Sequence, residues 1–158
     1  MTEQSRDTDF NHLIKQIFHN DDWQMRAEAA RKLGFLKDGR AVNLLCRALE
    51  KESDKTVVNK IIEALGRISH PKATMRIIDF LKEELNRSEP DKYRIKIIIE
   101  SLINIKDKRS LAYIGYFLNS DDNELQALAR EAFDIIEPNW KEIIKKEKKE
   151  KSLQDIFK

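Results

Sequence analysis

The sequence predicts an all-α chain: an α-α superhelix, or solenoid, of about four helical hairpins preceded by an N-terminal half-repeat. Three observations predict it. Four times an aspartate is followed eleven residues later by an apolar residue, and three residues after that by another. The sets are Asp22 with Leu33 and Leu36, Asp54 with Leu65 and Ile68, Asp91 with Leu102 and Ile105, and Asp122 with Phe133 and Ile136. The pivots Leu33, Leu65, Leu102 and Phe133 stand 32, 37 and 31 residues apart, and a period of this order marks a repeat architecture. Glycine and proline are scarce, four and three in 158 residues, which favours helices with short connections over a β-sandwich or a disordered chain.

Residues 9–19, DFNHLIKQIFH, read as the unpaired half-repeat, with Phe18 standing before Asp22 as Leu118 stands before Asp122. Residues 1–8 are expected to be loosely ordered or disordered. In residues 22–36, Met25, Ala29, Ala30, Leu33 and Leu36 fall at three- and four-residue spacings, one face of a helix. Asp22 stands where an N-cap carboxylate accepts from the free N–H groups of the first turn. After Gly34 and the turn Lys37-Asp38-Gly39, a second helix turns Val42, Leu45, Ala48 and Leu49 inward.

The same pattern returns three times. Asp54 opens a helix carrying Val57, Val58, Ile61, Ile62 and Leu65, and Pro71, at a first helical position, leads into Ile77, Phe80 and Leu81. Asp91 opens Ile95, Ile98, Ile99, Leu102 and Ile105, partnered by Leu111, Ile114, Phe117 and Leu118. Asp122 opens Leu125, Leu128, Ala129 and Phe133, and Pro138 starts a last helix with Trp140, Ile143 and Ile144. The wider spacing of 37 comes from extra residues around Asn86-Arg87-Ser88-Glu89-Pro90, a longer loop before Asp91. Each hairpin buries its apolar face only against a neighbour, so the pairs stack. Residues 9–145 thus form one repeat domain, and 146–158 a charged tail or helix extension.

Arg26-Ala27-Glu28-Ala29-Ala30-Arg31-Lys32-Leu33-Gly34, with Leu36, Asp38, Arg40, Ala41 and Val42, resembles the HEAT-like repeat also found in phycobilin lyases. The Asp-x-Arg turn recurs at Asp107-Lys108-Arg109, becomes His70-Pro71-Lys72 in the second repeat and is lost at Pro138-Asn139-Trp140. The resemblance covers residues 10–145. It implies that Asp38, Arg40, Asp107 and Arg109 knit neighbouring repeats together, and it implies architecture rather than activity, with an accessory or catalytic role of the bilin-lyase type as a lesser alternative.

No catalytic constellation stands out. The chain has no glycine-rich phosphate loop, no GxSxG, and no paired carboxylates that helix capping leaves unexplained. Cys46 is the single cysteine, which rules out an internal disulfide, and no His-based dyad accompanies it. His12, His19 and His70 lack the third and fourth ligands a metal needs, and they precede Leu, Asn or Pro where iron-binding HEAT-like hydroxylases have His-Glu. They read as surface histidines. The chain is therefore expected to be no enzyme and to need no cofactor or metal. It has no signal-like apolar run and no 18-residue apolar stretch, so a cytoplasmic protein without membrane contact is expected.

Partners are read from charge and surface. Charged residues make up 37% of the chain, yet the formal net charge is only +2. Residues 141–158 hold seven Lys against four Asp/Glu, so the body is close to neutral. A neutral body suits phosphate poorly. Nucleic acid is the alternative partner, and a protein or peptide the expected one, bound by a monomer or weak homo-oligomer. Taking the second helices as the concave wall, Arg47, Asp79 and Tyr116 form one outward row, and Leu44, Arg76 and Tyr113 a second, with Lys82 beside them. Tyrosine and arginine suit protein interfaces, which makes Arg47, Arg76, Asp79, Lys82, Tyr113 and Tyr116 the candidate binding residues of a noncatalytic scaffold. At the end of the tail, Leu153, Ile156 and Phe157 repeat at helical spacing. Lys151 to Phe157 resembles the motif that docks on sliding clamps, with Glu150 replacing its Gln and Ile156 its first aromatic.

Overall fold

The structure, a computed structural model, describes the backbone of residues 2–156 and the side chains of residues 2–148. Nine α-helices occur among the described residues, with no strand: α1 (Glu3–His19), α2 (Trp23–Leu36), α3 (Ala41–Lys51), α4 (Lys55–Ile68), α5 (Thr74–Leu85), α6 (Lys92–Ile105), α7 (Leu111–Ile114), α8 (Asn123–Ile136) and α9 (Trp140–Ile156). The first helices α2, α4, α6 and α8 stack in sequence as one layer. The second helices form the other layer, with α1 beside α3 as the half-repeat.

The repeating aspartates are N-caps. Asp22 accepts from the N–H of Gln24, Asp54 from Thr56 and Val57, Asp91 from Arg94, and Asp122 from Glu124 and Leu125. A cap of this kind contributes about 1 kcal/mol. Three first helices then end on a left-handed residue, Lys37, Ser69 and Lys106, which turns the chain sharply into its second helix. The pivots Leu33, Leu65 and Leu102 are fully buried, with Phe133 nearly so.

First helices approach one another closely because small residues meet at the crossings. A Cβ added at Gly34 would sit 2.9 Å from Ala64 Cα, and one at Gly66 only 2.7 Å from Ser101 Cβ. Ser101 Oγ donates across that crossing to Ile62 O at 3.1 Å. Second helices meet more sparsely, and long side chains reach between them: Arg40 donates to Asp7 on α1, Arg76 pairs with Glu50, and Arg109 donates to Pro71 O. The first helices are thus the more closely packed of the two layers.

Other differences have local causes. α1 begins at Glu3, six residues ahead of Asp9, because Thr2 Oγ1 caps it by accepting from Ser5 N–H. Met25 and Leu36, expected in the core, are 42% and 41% exposed, since no first helix precedes α2 among the described residues to cover them. The second helix of the third pair is split: α7 gives way at Gly115 to a 3-10 helix, Gly115–Asn119. The loop before Asp91 is anchored rather than loose, for the buried Glu84 carboxylate accepts from Asp91 N–H at 2.8 Å. α9 runs on to Ile156, so of the two readings of residues 146–158 the backbone takes that of a helix extension.

Candidate interaction surfaces

The turn aspartates illustrate how local chemistry sets the surfaces. Asp107 accepts from both the backbone N–H and the guanidinium of Arg109, and this pairing holds its carboxyl down at about 2. Asp38 and Arg40 repeat the arrangement, and Asp38 is lowered for the same reason. Where the second repeat has His70 instead, Nδ1 accepts from Lys72 N–H at 3.1 Å, so the imidazole performs the aspartate's capping role. His12 hydrogen-bonds Gln16 one turn along the exposed side of α1.

The candidate residues of the second-helix layer are only partly assembled. Lys82 Nζ lies 5.0 Å over the Tyr113 ring, leaving that ring half-buried. Tyr116 is 68% exposed and stands edge-on to Phe117. The switch to a 3-10 helix at Gly115 takes Tyr116 out of the α-helical register that the row assumed. Arg47 and Arg76 border a shallow hollow of about 450 Å³ together with Cys46, Glu50 and Lys72, and Arg76 is ion-paired to Glu50. Burial pushes the Cys46 thiol up, with Arg76 only partly opposing it. Asp79 is exposed. Leu153 and Ile156 fall in the last turns of α9, where the backbone alone is described, and Phe157 lies outside the described residues.

The first-helix layer carries aromatic groups that sequence reasoning missed. Phe35 is 57% exposed, and its ring is clasped by two guanidiniums: Arg31 at 5.3 Å and Arg67 at 4.4 Å from the ring centroid. Arg67 Nη1 is buried there without a hydrogen-bond acceptor, so the ring face is its neighbour in place of an oxygen. Trp23 and Tyr93, 42% and 63% exposed, stand near the starts of their helices, the opposite end from Phe35. Their outward register positions are the available signal, passed over when attention rests on the second helices. Most cations of this face are already engaged: Arg31 with Glu28, Lys60 with Glu63, Lys92 with Asp122 and Glu124, and Lys96 with Glu124. Among the described residues, no group of three or more His, Cys, Asp or Glu side chains is arranged to hold a metal, and no helix is long and apolar enough to cross a membrane.

Residues 10–86 match the family model described as HEAT repeats. That part of the chain carries HEAT repeats. The same hairpin architecture continues beyond residue 86 through α6 and α8, whose Asp91 and Asp122 caps repeat those of the matched part. A search of curated proteins gives no match. Among solved structures, the chain is similar to one in the complex of CpcE and CpcF of phycocyanin lyase from Nostoc sp. PCC7120, with a TM-score of 0.70 and 22% identity. The likeness covers 82% of this chain and 53% of that one, so the HEAT-repeat chain spans about half the length of its neighbour. At this identity the likeness speaks to the fold.

Proposed function

We propose that this HEAT-repeat chain is a noncatalytic protein-interaction module that presents the face of its first helices to a polypeptide partner. The observation that carries the reading is Phe35, a large ring left more than half exposed yet held in place by Arg31 and Arg67. An aromatic group already immobilised loses little conformational freedom on binding, and aromatic and arginine side chains are the groups that dominate protein interfaces. Arg31 is paired with Glu28, Arg67 is turned onto the ring, and the formal net charge of the whole chain is only +2, which favours a polypeptide over the nucleic-acid alternative, because phosphate binding draws on unpaired Lys and Arg. The second-helix residues Arg47, Arg76, Asp79, Lys82, Tyr113 and Tyr116 form a separate candidate surface, and the tail residues Leu153, Ile156 and Phe157 a third.

Affinity capture from the source cells with four baits tests the reading: the native chain, Phe35→Ala/Trp23→Ala, Tyr113→Ala/Tyr116→Ala, and a chain lacking residues 150–158. A specific protein lost only with the first double variant supports the first-helix face. Loss only with another bait moves the function to that surface, and a partner set insensitive to all three refutes the module reading.

A second reading, a part in a lyase of the phycocyanin type, is favoured by the structural likeness to a chain of the CpcE and CpcF complex. Bilin attachment stimulated by adding the purified chain to a lyase assay would support it.

A further inference from the structure

Comparing equivalent positions along the first helices shows that the two ends of the stack are finished differently. On the upstream side, Val57, Arg94 and Leu125 share one register position and are buried, as are Ala64, Ser101 and Ala132 at another. In α2 these positions hold Met25, 42% exposed, and Lys32, also exposed. The position of Ile105 and Ile136, both 7% exposed, is held in α2 by Leu36 at 41%. On the downstream side the reverse applies. Ala30, Ile62 and Ile99 are buried at one position, and α8 places the exposed Arg130 there. Gly34, Gly66 and Ile103 are buried at another, where α8 carries the exposed Asp134. At these positions the downstream side of α8 is charged, whereas the upstream side of α2 leaves core positions open.

The open end has a defined shape. α1 already occupies the slot of a second helix, so the uncovered slot beside it is that of one first helix. A groove of about 500 Å³ lies there, lined by Asp9, His12 and Leu13 of α1 and by Arg31, Lys32, Phe35 and Leu36 of α2, with Arg31 paired to Glu28. In each later repeat the equivalent face is covered by the preceding first helix. Lys32 makes no ion pair among the described residues, and it stands where the close-packed repeats have Ala64 and Ser101.

We propose that this groove docks a single amphipathic α-helix of a partner protein. That helix lies where a preceding first helix would lie, covers Met25 and Leu36 with small and apolar residues, and sets a carboxylate against Lys32. The register says what shape covers the face, and the Lys32 ammonium says what charge it carries. A second copy of the chain fits poorly, because its α8 sets Arg130 and Asp134 at the positions that would meet the groove and its α9 would compete with α1 for one second-helix slot. The proposal rests on the interaction reading and assigns it a partner element.

The test uses the full chain and a fluorescein-labelled, stapled helical peptide of residues 20–37 carrying Gly34→Glu. The side of the peptide that bears Ala27, Ala30 and the introduced carboxylate would face the groove. Binding with a Kd below about 100 µM is expected, weakened at least about tenfold by Leu36→Lys and by Lys32→Glu in the protein. The Lys32→Glu loss should be restored by the peptide carrying Gly34→Lys instead, while Arg130→Glu at the far end changes nothing. Unchanged melting curves show that the variants fold, since both altered side chains are exposed. No binding at about 1 mM peptide, indifference to Leu36→Lys, or a dimer of the native chain that Leu36→Lys dissolves would each overturn the proposal. Those failures leave the partner capture by the Phe35 and Tyr116 surfaces standing, so the two readings fail separately.

Discussion

Gly66 of α4 lies directly against Ser101 of α6, so close that a Cβ on Gly66 would come within 2.7 Å of both Ser101 Cβ and Oγ. Helix propensity alone would favour alanine over glycine by about 1 kcal/mol. The crossing reverses that preference, because the atoms in the way belong to a side chain and backbone that are themselves buried. Gly66→Ala is expected to destabilise the chain by about 1–3 kcal/mol in urea unfolding. Gly39→Ala, where nothing lies within 4 Å of the added carbon, should be nearly neutral. Equal effects would show that the helices do not cross as described.

Arg94 is the polar centre of the stack. Its Nε donates to Asn59 Oδ1 at 2.9 Å, its Nη1 lies 3.7 Å from the buried Glu84 carboxylate, and Glu84 in turn accepts from Asp91 N–H. This ties the long loop to two first helices. Without Arg94 the Glu84 carboxylate keeps only the half-exposed Arg87 as a cation, at 3.5 Å, and Asn59 loses its donor, so Arg94→Ala should cost about 3 kcal/mol, the low end for breaking a buried pair. Arg94→Ala combined with Glu84→Gln should recover part of the loss, and a fully additive double variant would show that the two are not coupled.

The Asp107–Arg109 turn should show in the pH dependence. The Asp107 carboxyl is depressed to about 2 from the ordinary value of about 4. A depressed acid contributes stability that is fully present above its unfolded value and fades as pH falls through the folded one. The stability difference between native chain and Asp107→Asn should therefore hold constant above about pH 4 and shrink steadily toward pH 2. A difference unchanged at pH 2 would place the effect in packing instead of charge.

Leu65 and Leu36 both belong to the repeating apolar pairs of neighbouring first helices, yet their exposures are 0% and 41%. Leu65→Ala should cost about 2–5 kcal/mol by opening a cavity, and Leu36→Ala less than about 1 kcal/mol. Thermal unfolding of both variants checks the register, and a reversed order would show it to be wrong.

Much of this is legible in the residues. The four aspartate caps, the buried pivots and the α2, α4, α6 and α8 spans follow from spacing, because capping and 3.6-residue periodicity act within a few residues of chain. His70 replacing an aspartate is visible only as a departure, and its capping role needs the Nδ1 geometry. Tyr113 and Tyr116 read as a pair because three residues separate them, yet the break at Gly115 and the Lys82 ammonium over Tyr113 divide their surroundings. Phe35 escapes a reading of the sequence because its neighbours across the face, Arg31 and Arg67, lie 4 and 32 residues away along the chain.

The sequence by itself determined the helices, their caps, their order and the repeat that makes them stack, since each depends on local backbone chemistry and on one apolar stripe per helix. Only the tertiary structure decided which layer is the more closely packed one, because that depends on small residues of different helices meeting at Gly34–Ala64 and Gly66–Ser101. It also decided which apolar residues are core. Met25 and Leu36 follow the same pattern as Val57 and Ile105 but remain uncovered, for burial is a property of what lies alongside, and no first helix among the described residues lies against the upstream face of α2.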